Sequence, residues 1–290
     1  MFGPNTHLAT QSVIDFSHRD KDFFNLYESL TGKFKTIFGL NNYDILFVPG
    51  SGTVGIESVF FSVLRDINLI GPDGVFKDKW NNFSSLYGKG ENVDPLEMYC
   101  QLETSISAVF EKEGCIVDCI SSFPYYSIPK NTKIFVTCSN KQLGSMPGLS
   151  IVGIRKDFWA NLIPSDVFSY LNLRRYKDFS KLSQTPTTPP ITIYSHLVDV
   201  LSNFDIKSLR NKINKNSELI VDSVGKNNVI GEILCPVITI NKSLIPMEIA
   251  HKYELYGLNT SSDNFQIFTY SCDSNSYKSF SDDIKSYKSK

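Results

Sequence analysis

Along the chain, short runs of apolar residues alternate with stretches in which apolar residues return every three or four positions. DILFVPG (44–50), GCIVDCISS (114–122), TKIFVTCS (132–139), GLSIVGI (148–154) and EILCPVITI (232–240) read as strands. DFFNLYESLTGKFKTIFG and TVGIESVFFSVLRDI read as helices before and between them. Near-continuous apolar strands separated by helices predict an α/β domain whose mostly parallel sheet is covered on both faces. SKLSQTPTTPPI interrupts this pattern with prolines. Beyond it a helix (TIYSHLVDVLSNF), a second helix, a strand and a further helix (PMEIAHKYELYG) predict a smaller α+β domain. The expected division is residues 1–191, with an N-terminal arm, and residues 192–290. The tail YSCDSNSYKSFSDDIKSYKSK, rich in Ser, Lys and Asp, is expected to hold a short helix and then fray.

Composition narrows the partners. Hydrophobic residues at 41% and charged residues at 20%, with a net charge of −1, describe an ordinary globular protein and disfavour a nucleic-acid partner. The six cysteines form no C-x-x-C pair and no histidines stand at metal-ligand spacing, so reduced thiols in a cytoplasmic protein are expected, without a metal. No apolar run reaches the roughly 18 residues of a membrane span, and the first residues lack a leader pattern.

In a parallel α/β sheet ligands gather at the carboxyl ends of the strands, so the polar residues that follow apolar runs are the candidates. Gly50-Ser51-Gly52-Thr53 joins a strand to a helix: glycines let the backbone approach an anion, and a helix N-terminus attracts one. The stretch matches neither the P-loop nor the dinucleotide fingerprint, and a plain turn is the alternative. Asp118 ends an apolar strand, where a carboxylate serves either as a loop cap or as the counter-ion of a buried cation. Glu103-Thr104-Ser105 follows a third run, and Lys141 follows a fourth; alone, such a lysine is solvated surface. The set says more than its members. A phosphate cup, a buried carboxylate and a lysine on successive strand ends meet the needs of pyridoxal 5′-phosphate: an anchor for the phosphate, an anion for the pyridinium nitrogen and an amine for the aldehyde.

Six segments in order resemble the class V aminotransferases of the fold type I pyridoxal-phosphate enzymes, closest to the 2-aminoethylphosphonate–pyruvate and alanine/serine–glyoxylate branch. They are FSHRDKDFFNLYESL, FVPGSGTVGIESVFFS, ETS, VDCISSFPYYSIP, CSNKQLGSMPGLSIV and FSYLNLRRYKDFSKLSQTPTTPPI, in a resemblance running from Gly3-Pro4 to about Phe268. The resemblance implies that Lys141 bonds covalently to the cofactor and moves the substrate proton, while Asp118 pairs with the pyridine nitrogen. Ser51, Gly52 and Thr53 would hold the phosphate, helped by Ser139, and Thr104 would bond the 3′-oxygen. Asn140 matches a polar residue before the lysine. Phe76 matches a ring that stacks on the cofactor, with a core phenylalanine as the alternative. Thr187 or Thr188 matches a residue that reaches the neighbouring subunit's phosphate, which implies a homodimer with shared sites.

The sequence departs from the family in three places. Phe76 and Glu103 are 27 positions apart, about one βα unit short, so the large domain is expected to lack a strand and a helix. Gln266 stands where the family's carboxylate-binding arginine would be, and an amide does not replace a bidentate guanidinium. Ser107 and Pro124 replace family glycines. The function implied is transfer of an amino group from a small primary amine or amino acid, 2-aminoethylphosphonate-like, to a 2-oxo acid such as pyruvate. Arg19 in SHRD is the candidate substitute for the missing arginine. The alternatives are a pyridoxal-phosphate lyase or decarboxylase acting on an unusual amine, or a non-catalytic descendant of the fold.

Overall fold

The computed structural model describes Phe2, residues 16–90 and residues 94–289; Gly3-Pro4, where the family resemblance begins, lies outside the described residues. The first helix, α1 (Lys21–Phe38), places Phe23, Tyr27, Leu30 and Phe34 on one stripe and buries all four. Each such side chain contributes roughly 1.5–3 kcal/mol of burial. The chain ends this helix at Gly39, whose φ of 69° needs no Cβ.

The strands follow as β1 (Tyr43–Pro49), β2 (Ile67–Leu69), β3 (Leu96–Cys100), the two-residue β4 (Leu102–Glu103) and β5 (Ala108–Val109), β6 (Ile116–Asp118), β7 (Ile134–Cys138) and β8 (Leu149–Arg155). Six of them make one sheet in the order β1-β8-β7-β6-β3-β2. Its pairs β2·β3, β3·β6 and β6·β7 are parallel, whereas β8 runs antiparallel to both β1 and β7. Five strands therefore share one direction, as the near-continuous apolar runs predicted. The connection from β2 to β3 carries a single helix, and the sheet ends at β2.

Helix α2 (Gly52–Ser62) lies across β7 and β8, and Gly55 sets its distance: a Cβ there would sit 1.9 Å from Ser150 Oγ and 2.8 Å from Val136 Cγ1. Helix α3 (Val75–Leu86) follows β2, and α4 (Leu173–Ser180) packs against β1 and α2. Helix α5 (Ile191–Ser202) buries Tyr194, Leu197 and Leu201 in the same core as the apolar stripe of α1. By packing, α5 thus sides with the six-stranded sheet.

A second core begins at α6 (Ile206–Val224) and joins a three-stranded antiparallel sheet, β11-β10-β9, made of β9 (Val229–Ile230), β10 (Val237–Asn241) and β11 (Asn264–Phe268). Helices α7 (Met247–Lys252) and α8 (Ser274–Lys288) complete it. The tail therefore does not fray as expected. Tyr277, Phe280 and Ile284 recur at helical spacing and are buried, and Phe2 stacks on Tyr277 at 4.5 Å between ring centroids. Their few apolar positions were hidden by a polar average, yet they share one face.

Ser107, at a family glycine position, adopts a left-handed φ of 47° and uses its hydroxyl productively. It donates to the Val237 carbonyl at 2.7 Å and lies 2.7 Å from Thr239 Oγ1, tying the turn after β4 to β10.

Candidate active site

The carboxyl ends of β1, β3, β6 and β7 converge on one cavity of about 140 Å³. Ser51, Gly52 and Thr53 line it from the first turn of α2, Asp118 from the end of β6, and Asn140 and Lys141 from just beyond β7. The helix end is not capped by its own Ser51 side chain; the Val54 N–H turns back to the Ser51 carbonyl at 2.9 Å, which leaves the N–H groups of Gly52 and Thr53 available to an outside acceptor. Gly52 is required by the space: a Cβ would lie 2.6 Å from Ile120 Cδ1.

Asp118 is fully enclosed. Its two oxygens accept from Trp80 Nε1 at 2.9 Å and from the Ile120 N–H at 2.9 Å. Burial pushes its carboxyl up to about 6, against the lowering effect of the Ile120 and Trp80 bonds, and the Glu103 charge adds to the rise. A carboxylate held this way by neutral donors can serve as the counter-ion of a cation. Lys141 is shifted the opposite way: burial lowers its ammonium below the usual lysine value, opposed by Cys138, Asp118 and Cys100. The amine is thereby easier to hold neutral, the form that attacks a carbonyl carbon. Its backbone is also unusual, with φ at 59°, and Gly144 closes the single 3₁₀ turn that follows by donating to the Lys141 carbonyl at 3.1 Å. Positive φ in a non-glycine residue concentrates at sites of chemistry.

A second cavity of about 420 Å³ opens on the other side of Lys141. Thr104, Ser105, Tyr256, Gln266 and Phe268 line it, and the Lys141 ammonium stands 5.4 Å from the centre of the Phe268 ring. Phe76 lines both cavities, at 6.1 Å from Trp80.

Eight of the residues singled out in the sequence thus line the small cavity or its neighbour: Ser51, Gly52, Thr53, Phe76, Thr104, Asp118, Asn140 and Lys141, joined by Gln266 on β11. Four others are placed elsewhere. Ser139 is buried, and its hydroxyl donates to the Met146 carbonyl at 2.6 Å, so it is engaged inside the Lys141 loop and does not line the cavity. Arg19 bonds to Gln184 Oε1 and lies 5.7 Å from the Phe179 ring, among residues at the end of α4, and lines neither cavity. Thr187 and Thr188 lie in the segment between α4 and α5, and they too line neither cavity.

Trp80 was missed, although it follows Phe76 by one helical turn and so shares its face. Glu103, unremarkable in the sequence, is buried and accepts the N–H groups of Phe76 and Lys77 at 3.0 and 3.3 Å and the Ser105 hydroxyl at 2.6 Å. It caps α3 from a neighbouring strand, a partnership no local spacing reveals. Gly74 permits it, since a Cβ there would lie 2.4 Å from the Glu103 carboxyl carbon.

No protein-family model matches the chain. It is 26% identical over 261 residues to an uncharacterized aminotransferase of Methanocaldococcus jannaschii, covering 74% of this chain and 67% of that protein. It is 24% identical to the soluble hydrogenase 42 kDa subunit of Anabaena cylindrica, covering 66% of this chain and 61% of the relative. The chain spans about two thirds or less of the length of these curated relatives. Among solved structures, an aspartate aminotransferase from Thermus thermophilus superposes with a TM-score of 0.77 at 14% identity, over 98% of both chains. An alanine–glyoxylate aminotransferase from Nostoc sp. gives 0.75 at 17%, over 94% of this chain and 89% of the other. A phosphoserine aminotransferase from Cytophaga hutchinsonii gives 0.76 at 18%, over 95% and 91%. The fold is that of the fold type I aminotransferases, and at the level of fold it bears out the resemblance to their class V members.

Proposed function

We propose that this protein is a pyridoxal-phosphate-dependent aminotransferase of class V type. The observation that carries the reading is the meeting of Lys141, Asp118 and the Ser51-Gly52-Thr53 turn around one small cavity. The residues fit the cofactor on physical grounds: a buried carboxylate with only neutral donors suits a ring N–H⁺, and an uncapped helix end beneath Gly52 suits a phosphate. Bound there, pyridoxal phosphate supplies the electron sink that stabilises negative charge on the substrate carbon. Asp118 would pair with the ring nitrogen and favour its protonated form, and Phe76, which lines the same cavity, would lie beside the ring. Lys141, whose amine burial makes easier to hold neutral, would supply the covalent anchor and the base that moves a proton to and from the substrate carbon.

The neighbouring 420 Å³ cavity, with hydroxyl and amide donors at Thr104, Ser105, Tyr256 and Gln266, is the substrate room in this reading. The proposed donor is a small primary amine or amino acid, 2-aminoethylphosphonate-like, and the acceptor a 2-oxo acid such as pyruvate. A homodimer in which Thr187 or Thr188 reaches the partner's phosphate site, with Arg19 delivered toward the substrate, belongs to the same proposal, as does a cytoplasmic location. So does the division into a large cofactor-binding part and a small carboxyl-terminal part, with α5 packed on the former. No helix among the described residues is long and apolar enough to cross a membrane.

The test is borohydride reduction of the protein incubated with pyridoxal phosphate, followed by peptide mass spectrometry. The adduct is expected on Lys141 and absent from Lys141→Ala. Single-turnover addition of an amine should then convert the bound cofactor to its pyridoxamine form, and a 2-oxo acid should reverse it. An adduct on another lysine, or bound cofactor that no amine converts, would overturn the reading.

A further inference from the structure

Helix α3 presents three side chains to the cofactor cavity and its rim. Phe76 and Trp80 line the cavity. Lys79 reaches the rim, where its Nζ donates to Thr53 Oγ1 at 3.1 Å and stands 5.4 Å from the centre of the Trp80 ring. Thr53 is itself a cavity residue in the first turn of α2. The base of α3 is fixed by the buried Glu103 carboxylate, which accepts the Phe76 and Lys77 N–H groups, so the aim of this helix is set by β4 of the two-stranded β4-β5 sheet.

A phosphate monoester carries nearly two negative charges at neutral pH, and backbone N–H groups alone neutralise little of that. Among the described residues Lys141 is the one lysine lining the small cavity, and in the proposed function its amine is taken up by covalent attachment. Ser139, expected to help hold the phosphate, spends its hydroxyl on the Met146 carbonyl. We infer that Lys79 is a cofactor-binding residue: its ammonium pairs with the phosphate group seated at Ser51-Gly52-Thr53, moving from the Thr53 hydroxyl to the anion that the same hydroxyl also bonds. The inference rests on the proposed cofactor. Lys79 is exposed, so the pairing is screened by salt and modest in size.

The experiment compares spectrophotometric titrations of the intact protein with pyridoxal phosphate and with pyridoxal, which lacks the phosphate. Lys79→Ala is expected to weaken pyridoxal phosphate about tenfold at low ionic strength and to leave pyridoxal unchanged. Lys79→Arg should recover most of the loss, and added salt should narrow the gap between wild type and Lys79→Ala. An equal loss for both ligands would mean that Lys79 only supports the Trp80 face, and no loss for either would mean that it stays with solvent; each overturns the assignment while wild type still binds. If wild type binds neither ligand, the proposed function itself fails and this inference goes with it.

Discussion

The raised pKa of Asp118 has a thermodynamic cost that can be read without any substrate. In the unfolded chain its carboxyl titrates near 3.8, and in the folded cofactor-free protein near 6. Because the folded value is the higher one, folding is penalised wherever the group must ionise. The penalty is fully present above about pH 6 and fades as pH falls through 6 toward 3.8. A shift of about two units corresponds to roughly 3 kcal/mol. Linkage assigns about half of it at pH 5, so the term changes by about 1.5 kcal/mol between pH 5 and pH 7.5. Asp118→Asn removes the ionisation. The variant keeps one acceptor for the donors of Trp80 and Ile120, and the lost bond costs about 1–3 kcal/mol at every pH. Urea unfolding of the cofactor-free proteins across this range separates the two effects: the constant cost displaces the curves, whereas ionisation makes them converge as pH rises. Wild type should lose about 1.5 kcal/mol relative to Asp118→Asn from pH 5 to pH 7.5. Parallel profiles would refute the claim that Asp118 ionises at a cost. With pyridoxal phosphate present the convergence should disappear, since a ring cation then holds the carboxylate charged, and turnover of Asp118→Asn should fall by about 10²–10³-fold, several kcal/mol, roughly the size seen when other electrostatic stabilisers are removed.

Gly52→Ala should weaken pyridoxal phosphate by tenfold or more in the same titration while leaving the helix content unchanged by circular dichroism, because the new methyl presses on Ile120 beneath the phosphate turn. If the proposed function holds, Gln266→Arg, which places in the 420 Å³ cavity the arginine of the class V enzymes that the sequence resembles, should tighten binding of pyruvate or glyoxylate about tenfold, measured as KM for the second half-reaction. Efficient use of these acids by wild type, unharmed in Gln266→Ala, would show that this position does not set carboxylate recognition.

Where a residue's position in the fold depends on its neighbours in the chain, the sequence was sufficient. The strand-to-helix turn at Gly50–Thr53, the strand-end position of Asp118 and the loop position of Lys141 are all local facts, and the parallel sheet brings them together by rule. Tertiary partnerships were not legible. Glu103 caps a helix that begins 28 positions earlier, and Ser139 faces inward because the loop after β7 turns back on itself at Gly144. The buried face of α8 was masked for another reason: its apolar residues are few among many serines and lysines, and composition conceals what spacing would have exposed.

The bond from Trp80 to Asp118 also gives the molecule an optical property. The chain has two tryptophans. The indole of Trp159 donates to Asp44 at 2.8 Å, against the β1 side of the sheet, whereas that of Trp80 donates to the carboxylate at the floor of the small cavity. One emitter therefore sits against the place where the proposed cofactor's absorbing ring would lie, and the other does not line that cavity. Filling of the cavity by such a ring is expected to quench the protein's own fluorescence, and a Trp80→Phe variant would isolate the part that Trp159 contributes.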